Sequence, residues 1–343
     1  MESLDLFKTL TKYLGLFYAL FLIGALPTII MNIIDYEHVV KYNIYALFTV
    51  TFSNNEYFYF GGMIYQSVLI LLFPVFIRLK WTNATIRDTS EKKAIPINTV
   101  VKVLRRSLGK IYQLLVIGIL FVCLYYLYIQ SNTRSTFSTI TVNDFVLGIG
   151  LFLFTWCTEL LLYPIVAFDA HSRYSKRESS LLWKKFVHRV VVLYIFTTST
   201  AFFLRKAYCY FMNVVLIYFI CDCFFRSLFG MLLPILPKYI RRRQIRLSEE
   251  YSDLIFKFFV SIVYTNLMPS ICIVALVSLV WNRLYLNYRL KHEEEPIDTE
   301  GLLTKHVWSA LFICSLVALF FTNFSTTFLY ANSRSILYPF CFI

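Results

Sequence analysis

Four charged residues stand inside long apolar stretches of the sequence, where a charge is costly. They are Glu159, Asp222, Arg226 and Lys257, and Asn213 adds a polar amide upstream of Asp222. A charge inside a membrane costs about 2.5 kcal/mol or more on insertion scales, so each is a candidate functional residue. Asp222 and Arg226 are four residues apart, so on a helix they share one face and can pair.

Three interpretations of these charges stay open. In the first, they form a polar seam that faces a hydrated path through the membrane. In the second, they are internal ion pairs that lock helices together, with Asp222–Arg226 paired within one helix and Glu159–Lys257 paired between two. In the third, they lie at the membrane interface.

Residues that catalyse reactions or bind metals do not form a recognisable group. The five histidines are isolated, and no HExxH, GxSxG or P-loop pattern occurs. Almost all of the eight cysteines fall inside apolar runs, as small buried residues do. We therefore expect a protein that is not an enzyme and that has neither a metal nor another cofactor.

The composition excludes a soluble domain. Of the 343 residues, 58% are hydrophobic and 19% aromatic, and the mean hydropathy is +0.64. Several apolar runs reach the length of about twenty residues that spans a bilayer as a helix. The net charge of +13 suggests nucleic acid, but the basic residues lie between the apolar runs. We expect no nucleic-acid partner.

The pattern predicts an all-α polytopic membrane protein with one transmembrane domain over residues 1–343 and about 9–10 transmembrane helices. The apolar tail 335–343 is too short to cross a membrane. The nine predicted spans are 11–34, 57–77, 111–129, 145–168, 186–204, 207–236, 254–268, 270–290 and 307–329.

Basic residues alternate between the loops and predict the orientation. Lysine and arginine are concentrated in the loops after spans two, four, six and eight, so the N-terminus is expected in the cytoplasm. The protein is expected in the plasma membrane or in the endoplasmic reticulum. Asn323, in a glycosylation sequon, then falls near the outer end of span nine. The opposite loops hold few basic residues.

Two basic segments are predicted to contact the anionic lipids of the inner leaflet. Loop 79–110 contains an amphipathic helical pattern, with an orientation-setting basic loop as the alternative. The second segment follows span six. The basic residues concerned are Lys102, Arg105 and Arg106 in the first segment and Arg241, Arg242 and Arg243 in the second.

Helix-breaking residues mark two predicted hinges. Gly230, Pro234 and Pro237 loosen the last part of span six. Pro269 makes the turn between spans seven and eight. Span six therefore combines a compliant end with the charges Asp222 and Arg226.

Three segments resemble the OSCA/CSC family of osmosensitive channels, within the OSCA/TMC/anoctamin superfamily. A Val-Tyr pair precedes the turn proline and an Asn-Arg-Leu-Tyr helix end follows it, as in that family's seventh and eighth helices. The similarity covers about residues 145–343. The segments are 263–269 (VYTNLMP) with 282–288 (NRLYLNY), 218–222 (YFICD), and 162–165 (LYPI) with 172–178 (SRYSKRE).

The resemblance implies a pore or groove formed by spans three to seven, with span six as its gate. Proteins of the family conduct cations in response to membrane tension, and the superfamily includes lipid scramblases. The chain departs from the family because only a short loop stands where OSCA proteins carry a large cytosolic domain between two helices. The family's gating apparatus is therefore not implied.

The leading hypothesis is a compact cation channel, mechanosensitive or not, or a lipid scramblase, with membrane lipids as partners. One alternative is a non-conducting membrane scaffold or an accessory subunit of a larger complex, which the short loops favour. Another is a chemoreceptor of the gustatory type, which shares the inside N-terminus. The sequence is compatible with a homodimer or a larger membrane complex.

Overall fold

A computed structural model describes residues 2–34, 56–81, 99–130, 142–168, 174–203, 208–232, 246–265, 268–292 and 302–332. These residues form helices, and no strand occurs within the described ranges. The helices are α1 (Glu2–Ile34), α2 (Glu56–Trp81), α3 (Thr99–Gln130), α4 (Val142–Leu160), α5 (Leu162–Phe168), α6 (Tyr174–Phe203), α7 (Tyr208–Leu232), α8 (Leu247–Tyr264), α9 (Ser270–His292) and α10 (Leu302–Asn332).

Within the described part of the chain, five segments are long and apolar enough to cross a membrane. Together with the helical content, they confirm the predicted class of all-α polytopic integral membrane protein. These segments are Leu4–Pro27, Gly61–Trp81, Asp144–Val166, Ser270–Lys291 and Leu303–Phe320.

Helices α1 and α6 begin before the predicted spans, and two further differences change how the chain is divided. The stretch 145–168 is two helices, because Pro164 has no N–H to bond to the carbonyl of Leu160 and the chain turns at Leu161. Loop 79–110 is largely helical at both ends, since α2 continues to Trp81 and α3 begins at Thr99. The amphipathic pattern and span three thus belong to one continuous helix.

Helix α8 occupies the centre of the bundle. Its side chains from Leu254 to Ile262 are all buried, and it packs against α6, α9, α10 and α1. Phe258 meets Phe17 of α1 and Phe73 of α2, with ring centroids 5.3 Å away in each case. A helix whose side chains are buried on every face in this way belongs in the interior of a bundle.

Several helices meet at one end of the bundle, which we call the basic end. Here α2 and α9 finish and α6, α8 and α10 begin. Lys185 of α6 pairs with Glu249 of α8 at 3.7 Å, and the indole of Trp183 donates to His306 of α10 at 3.2 Å. The basic end therefore gathers the helix ends that the positive-inside pattern assigns to the cytoplasm.

Candidate functional site

A buried cluster of ion pairs joins four helices in the half of the bundle nearer the basic end. Its centre is Arg189 of α6, whose side chain is 0% exposed. The guanidinium bonds to both carboxylate oxygens of Glu159 of α4, through Nε to Oε1 and through Nη2 to Oε2 at 3.3 Å. Arginine suits this position because its planar fork matches a carboxylate.

Helix α7 contributes an internal pair to the same cluster. We call this group, Glu159, Arg189, Asp222, Arg226 and Asp253, the ion-pair cluster. Arg226 holds Asp222 through Nε and Nη2, at 3.0 and 2.9 Å from Oδ1. The pair is four residues apart, as the sequence predicted. Arg226 also bonds to Glu159 through Nη1, and Asp222 Oδ2 lies 3.8 Å from Arg189 Nη1. These two contacts tie α7 to α4 and α6.

The fourth helix joins through Asp253 of α8, whose carboxylate lies 2.5 Å from Arg189 Nη2. Arg189 is therefore surrounded by carboxylates of three helices. The cluster combines the carboxylates of Glu159, Asp222 and Asp253 with two guanidiniums, so it carries one surplus negative charge when all five groups are ionised.

Some polar atoms of this region keep an unused hydrogen-bonding capacity. Arg189 Nη1, Asp222 Oδ2 and the hydroxyl of Tyr218 are buried and make no hydrogen bond with the residues that the structure describes. A buried polar atom without such a bond costs about 1–3 kcal/mol. A water molecule at the cluster would therefore form hydrogen bonds with these atoms, and an ion could contact them.

The cluster lies beside the break between α4 and α5. Helix α4 ends at Leu160, directly after Glu159. The carbonyl of Thr158 accepts the hydroxyl of Tyr112 of α3 at 3.1 Å, and the Thr158 hydroxyl contacts His188 Nε2 at 2.9 Å. Broken helices at membrane depth are found where the chain is buried in protein or lines a water-filled cavity.

The predicted pair between Glu159 and Lys257 is wrong. Two arginines already occupy the carboxylate of Glu159. Lys257 instead donates to the side-chain oxygen of Asn282 of α9 at 3.0 Å. Ser227 of α7 contacts the same oxygen at 3.4 Å. Lys257 thus belongs to a separate polar group between α7, α8 and α9.

Sequence reasoning missed Arg189 and Asp253. Arg189 lies inside the predicted span 186–204, directly before Val190 and Val191, but is not among the four intramembrane charges singled out above. Asp253 precedes the predicted span seven by one position. A signal is present in the sequence, because Arg189 is itself a charge inside a predicted span and an intramembrane acid such as Glu159 needs a cation.

Asn213 lies at the opposite end of the α4–α7 interface. Its amide donates to Asp144 Oδ2 at 3.5 Å, and both side chains are buried. Between this contact and the cluster, Gly148 of α4 allows α7 to approach closely. A Cβ at Gly148 would stand 2.6 Å from Cγ2 of Ile217.

Of the predicted hinges, Gly230 lies in α7, and Pro234 and Pro237 lie outside the described residues. Pro269 occupies the turn between α8 and α9, where Met268 N–H donates to the carbonyl of Tyr264 at 2.8 Å. This turn coincides with the one expected from the proline.

The predicted lipid-contacting residues are described only in part. Arg105 is half-buried on α3. The side chains of Lys102 and Arg106 on α3 and of Asn323 on α10 lie outside the described part, as do Arg241, Arg242 and Arg243 entirely. No group of three or more metal-binding side chains occurs among the residues that are described.

A further ion pair closes the basic end. Arg289 of α9 bonds to Glu250 of α8 and to the hydroxyl of Tyr285, each at 3.0 Å. Glu250 precedes the predicted seventh span. Burial raises the pKa of the Glu250 carboxyl to about 7, although the positive charge of Arg289 acts to lower this pKa.

Comparison with known proteins gave no family model that matches the chain and no curated protein that matches it. The resemblance to the OSCA family therefore stays a prediction. The class of integral membrane protein rests on the helices themselves.

Proposed function

We propose that the protein is a compact membrane channel for cations, or a lipid scramblase, whose path runs beside α7. The observation that carries the proposal is the ion-pair cluster. Its charges come from α4, α6, α7 and α8, which correspond to spans four to seven of the predicted seam. The cluster also adjoins a broken helix and contains unbonded polar atoms, both of which favour a region that can hydrate.

The arrangement of the ion pairs lowers the free-energy cost of separating α7 from α4 and α6. Asp222 and Arg226 neutralise each other within α7, so they move together as a pair. Among the described residues, the ion pairs that bind this pair to α4 and α6 are Arg226–Glu159 and Asp222–Arg189. Replacing them by water avoids leaving an isolated charge on α7, which would cost several kcal/mol.

The wall that α7 would leave behind has a defined charge. Glu159, Arg189 and Asp253 stay linked across α4, α6 and α8, and together they carry one negative charge. A negative wall attracts cations and repels chloride. This charge supports a cation path over an anion path.

A second candidate function is a non-conducting scaffold or accessory subunit. It is favoured by the complete burial of Arg189 and the near-complete burial of Glu159, which are features of an internal lock between helices. In this case the cluster would fix the helix order of the bundle, and displacement of α7 would have no role.

The test is a flux experiment on the full chain in liposomes. Cation flux under increasing membrane tension and the scrambling of fluorescent lipid are measured in parallel. Glu159→Gln weakens the contact between α4 and α7, so we expect flux or scrambling to begin at lower tension and the basal rate to rise severalfold.

The matched control is Glu178→Gln, which changes a buried carboxylate of α6 that bonds to Ser248 away from the cluster. It should leave the tension threshold unchanged. Folded wild-type protein without either activity would contradict the proposal and favour the scaffold.

A further inference from the structure

At the basic end, the seam between α2 and α10 carries a cation fixed on an aromatic ring. The guanidinium of Arg78 lies 4.4 Å from the ring centroid of Trp308. The indole N–H of Trp308 donates to the carbonyl of Pro74 of α2 at 2.9 Å. This bond and the cation–π contact hold the ring and the guanidinium in place before any ligand arrives.

A second cation stands close by. Lys305 lies three residues before Trp308, so both project from neighbouring positions on one side of α10. Arg78 and Lys305 are exposed, and neither has a carboxylate partner among the described residues. Helix α10 contains no acidic residue, and the one acid of α2 is Glu56 at its other end.

Apolar surface continues from these cations toward the middle of the bundle. Phe312 stacks on Trp308 with centroids 5.6 Å apart and is 37% exposed. On α2, the exposed Leu71 lies two helical turns from Arg78 on the same face. The seam thus presents charge, then an indole, then apolar side chains, which is the order of groups along a phospholipid.

We propose that this seam binds an anionic phospholipid of the membrane leaflet at the basic end. Arg78 and Lys305 contact the headgroup phosphate and carboxylate, Trp308 lies at the level of the glycerol esters, and Phe312 and Leu71 contact an acyl chain. The site differs from the basic segments predicted from the sequence, because its residues come from the ends of two packed helices. It does not depend on whether the protein conducts.

The chemistry favours an anionic lipid over a zwitterionic one. Among the described residues no carboxylate pairs with either cation, so the two leave a net positive charge for the headgroup, whereas phosphatidylcholine brings its own cation. The fixed ring of Trp308 and the apolar side chains beside it also explain why a specific lipid is expected there rather than a diffuse attraction to the surface.

The test is native mass spectrometry of the full chain in detergent, titrated with phosphatidylserine or with phosphatidylcholine. Wild-type protein should retain phosphatidylserine in preference. Arg78→Ala and Lys305→Ala should each weaken its apparent Kd about fivefold. Arg78→Lys keeps the charge, so binding should fall by less than that.

Lys80→Ala is the matched control, because Lys80 is an exposed cation at the same end of α2 whose ammonium faces Phe76 at 5.8 Å and not Trp308. It should weaken binding by less than about twofold, as a loosely screened surface charge would. Equal loss in all three alanine variants, or no preference for phosphatidylserine in the wild type, would overturn the proposal.

Discussion

Helices α4 and α7 are held together differently at their two ends. Near the start of both helices, the amide of Asn213 bonds to Asp144 and Gly148 admits the side chain of Ile217. Near the basic end, the same helices meet through guanidinium and carboxylate groups that also bind α6 and α8. The first end depends on close packing, whereas the basic end combines the stacking of Trp156 on Phe229, at 5.0 Å between ring centroids, with charges that water can replace.

This difference indicates which end of α7 can move. Close packing loses about a quarter to a half of its dispersion energy when two surfaces separate by about 0.5–1 Å. Ion pairs lose less on separation if water enters, because hydration replaces them. We therefore expect α7 to stay attached near Gly148 and to separate from α4 near Glu159.

The largest expected effect comes from Arg189. Arg189→Met leaves the carboxylates of Glu159 and Asp253 buried without their main cation, so we expect a loss of about 3–5 kcal/mol in folding free energy. Thermal unfolding in detergent, followed by tryptophan fluorescence, measures this loss.

Arg189→Lys is the companion variant, since it keeps the charge and loses the planar fork. Its folding free energy should lie between those of the wild type and of Arg189→Met. Equal stability of all three proteins would mean that the cluster does not hold the helices together.

A smaller effect is expected at the packed end. In Gly148→Ala the new methyl group would meet Ile217, so we expect a loss of about 1–3 kcal/mol from overpacking. The same change at Gly150, where nothing lies within 4 Å of a Cβ, should be close to neutral. Thermal unfolding of the two variants side by side checks this contrast, and equal losses would remove the distinction between the two ends.

The sequence predicts local features of this molecule and not the order in which its helices pack. The Asp222–Arg226 pair follows from a spacing of four residues, and the turn at Pro269 from the chemistry of proline. The partner of Glu159 depends on which helix lies beside α4. Arg189 and Lys257 are both candidate partners by charge, and the packing of α6 beside α4 decides for Arg189.

The partner of Lys257 also depends on helix packing that the sequence does not predict. A buried lysine next to apolar residues suggests a carboxylate partner, yet it bonds to the amide oxygen of Asn282. Helix α9 brings this amide to α8 after the turn at Pro269. The contact between Lys257 and Asn282 joins two consecutive helices. It depends on the crossing angle of α8 and α9, which the hydrophobic periodicity of the sequence does not predict.

The most direct test of the central claim is the permeability ratio of potassium to chloride in liposomes that contain the full chain, for wild type and Asp253→Asn. We propose one surplus negative charge on the wall of the path, and Asp253→Asn removes it while Arg189 stays paired with Glu159. We predict a wild type that prefers potassium and a variant in which this preference falls several-fold. A wild type that prefers chloride, or a ratio that Asp253→Asn leaves unchanged, would contradict a cation path along the ion-pair cluster.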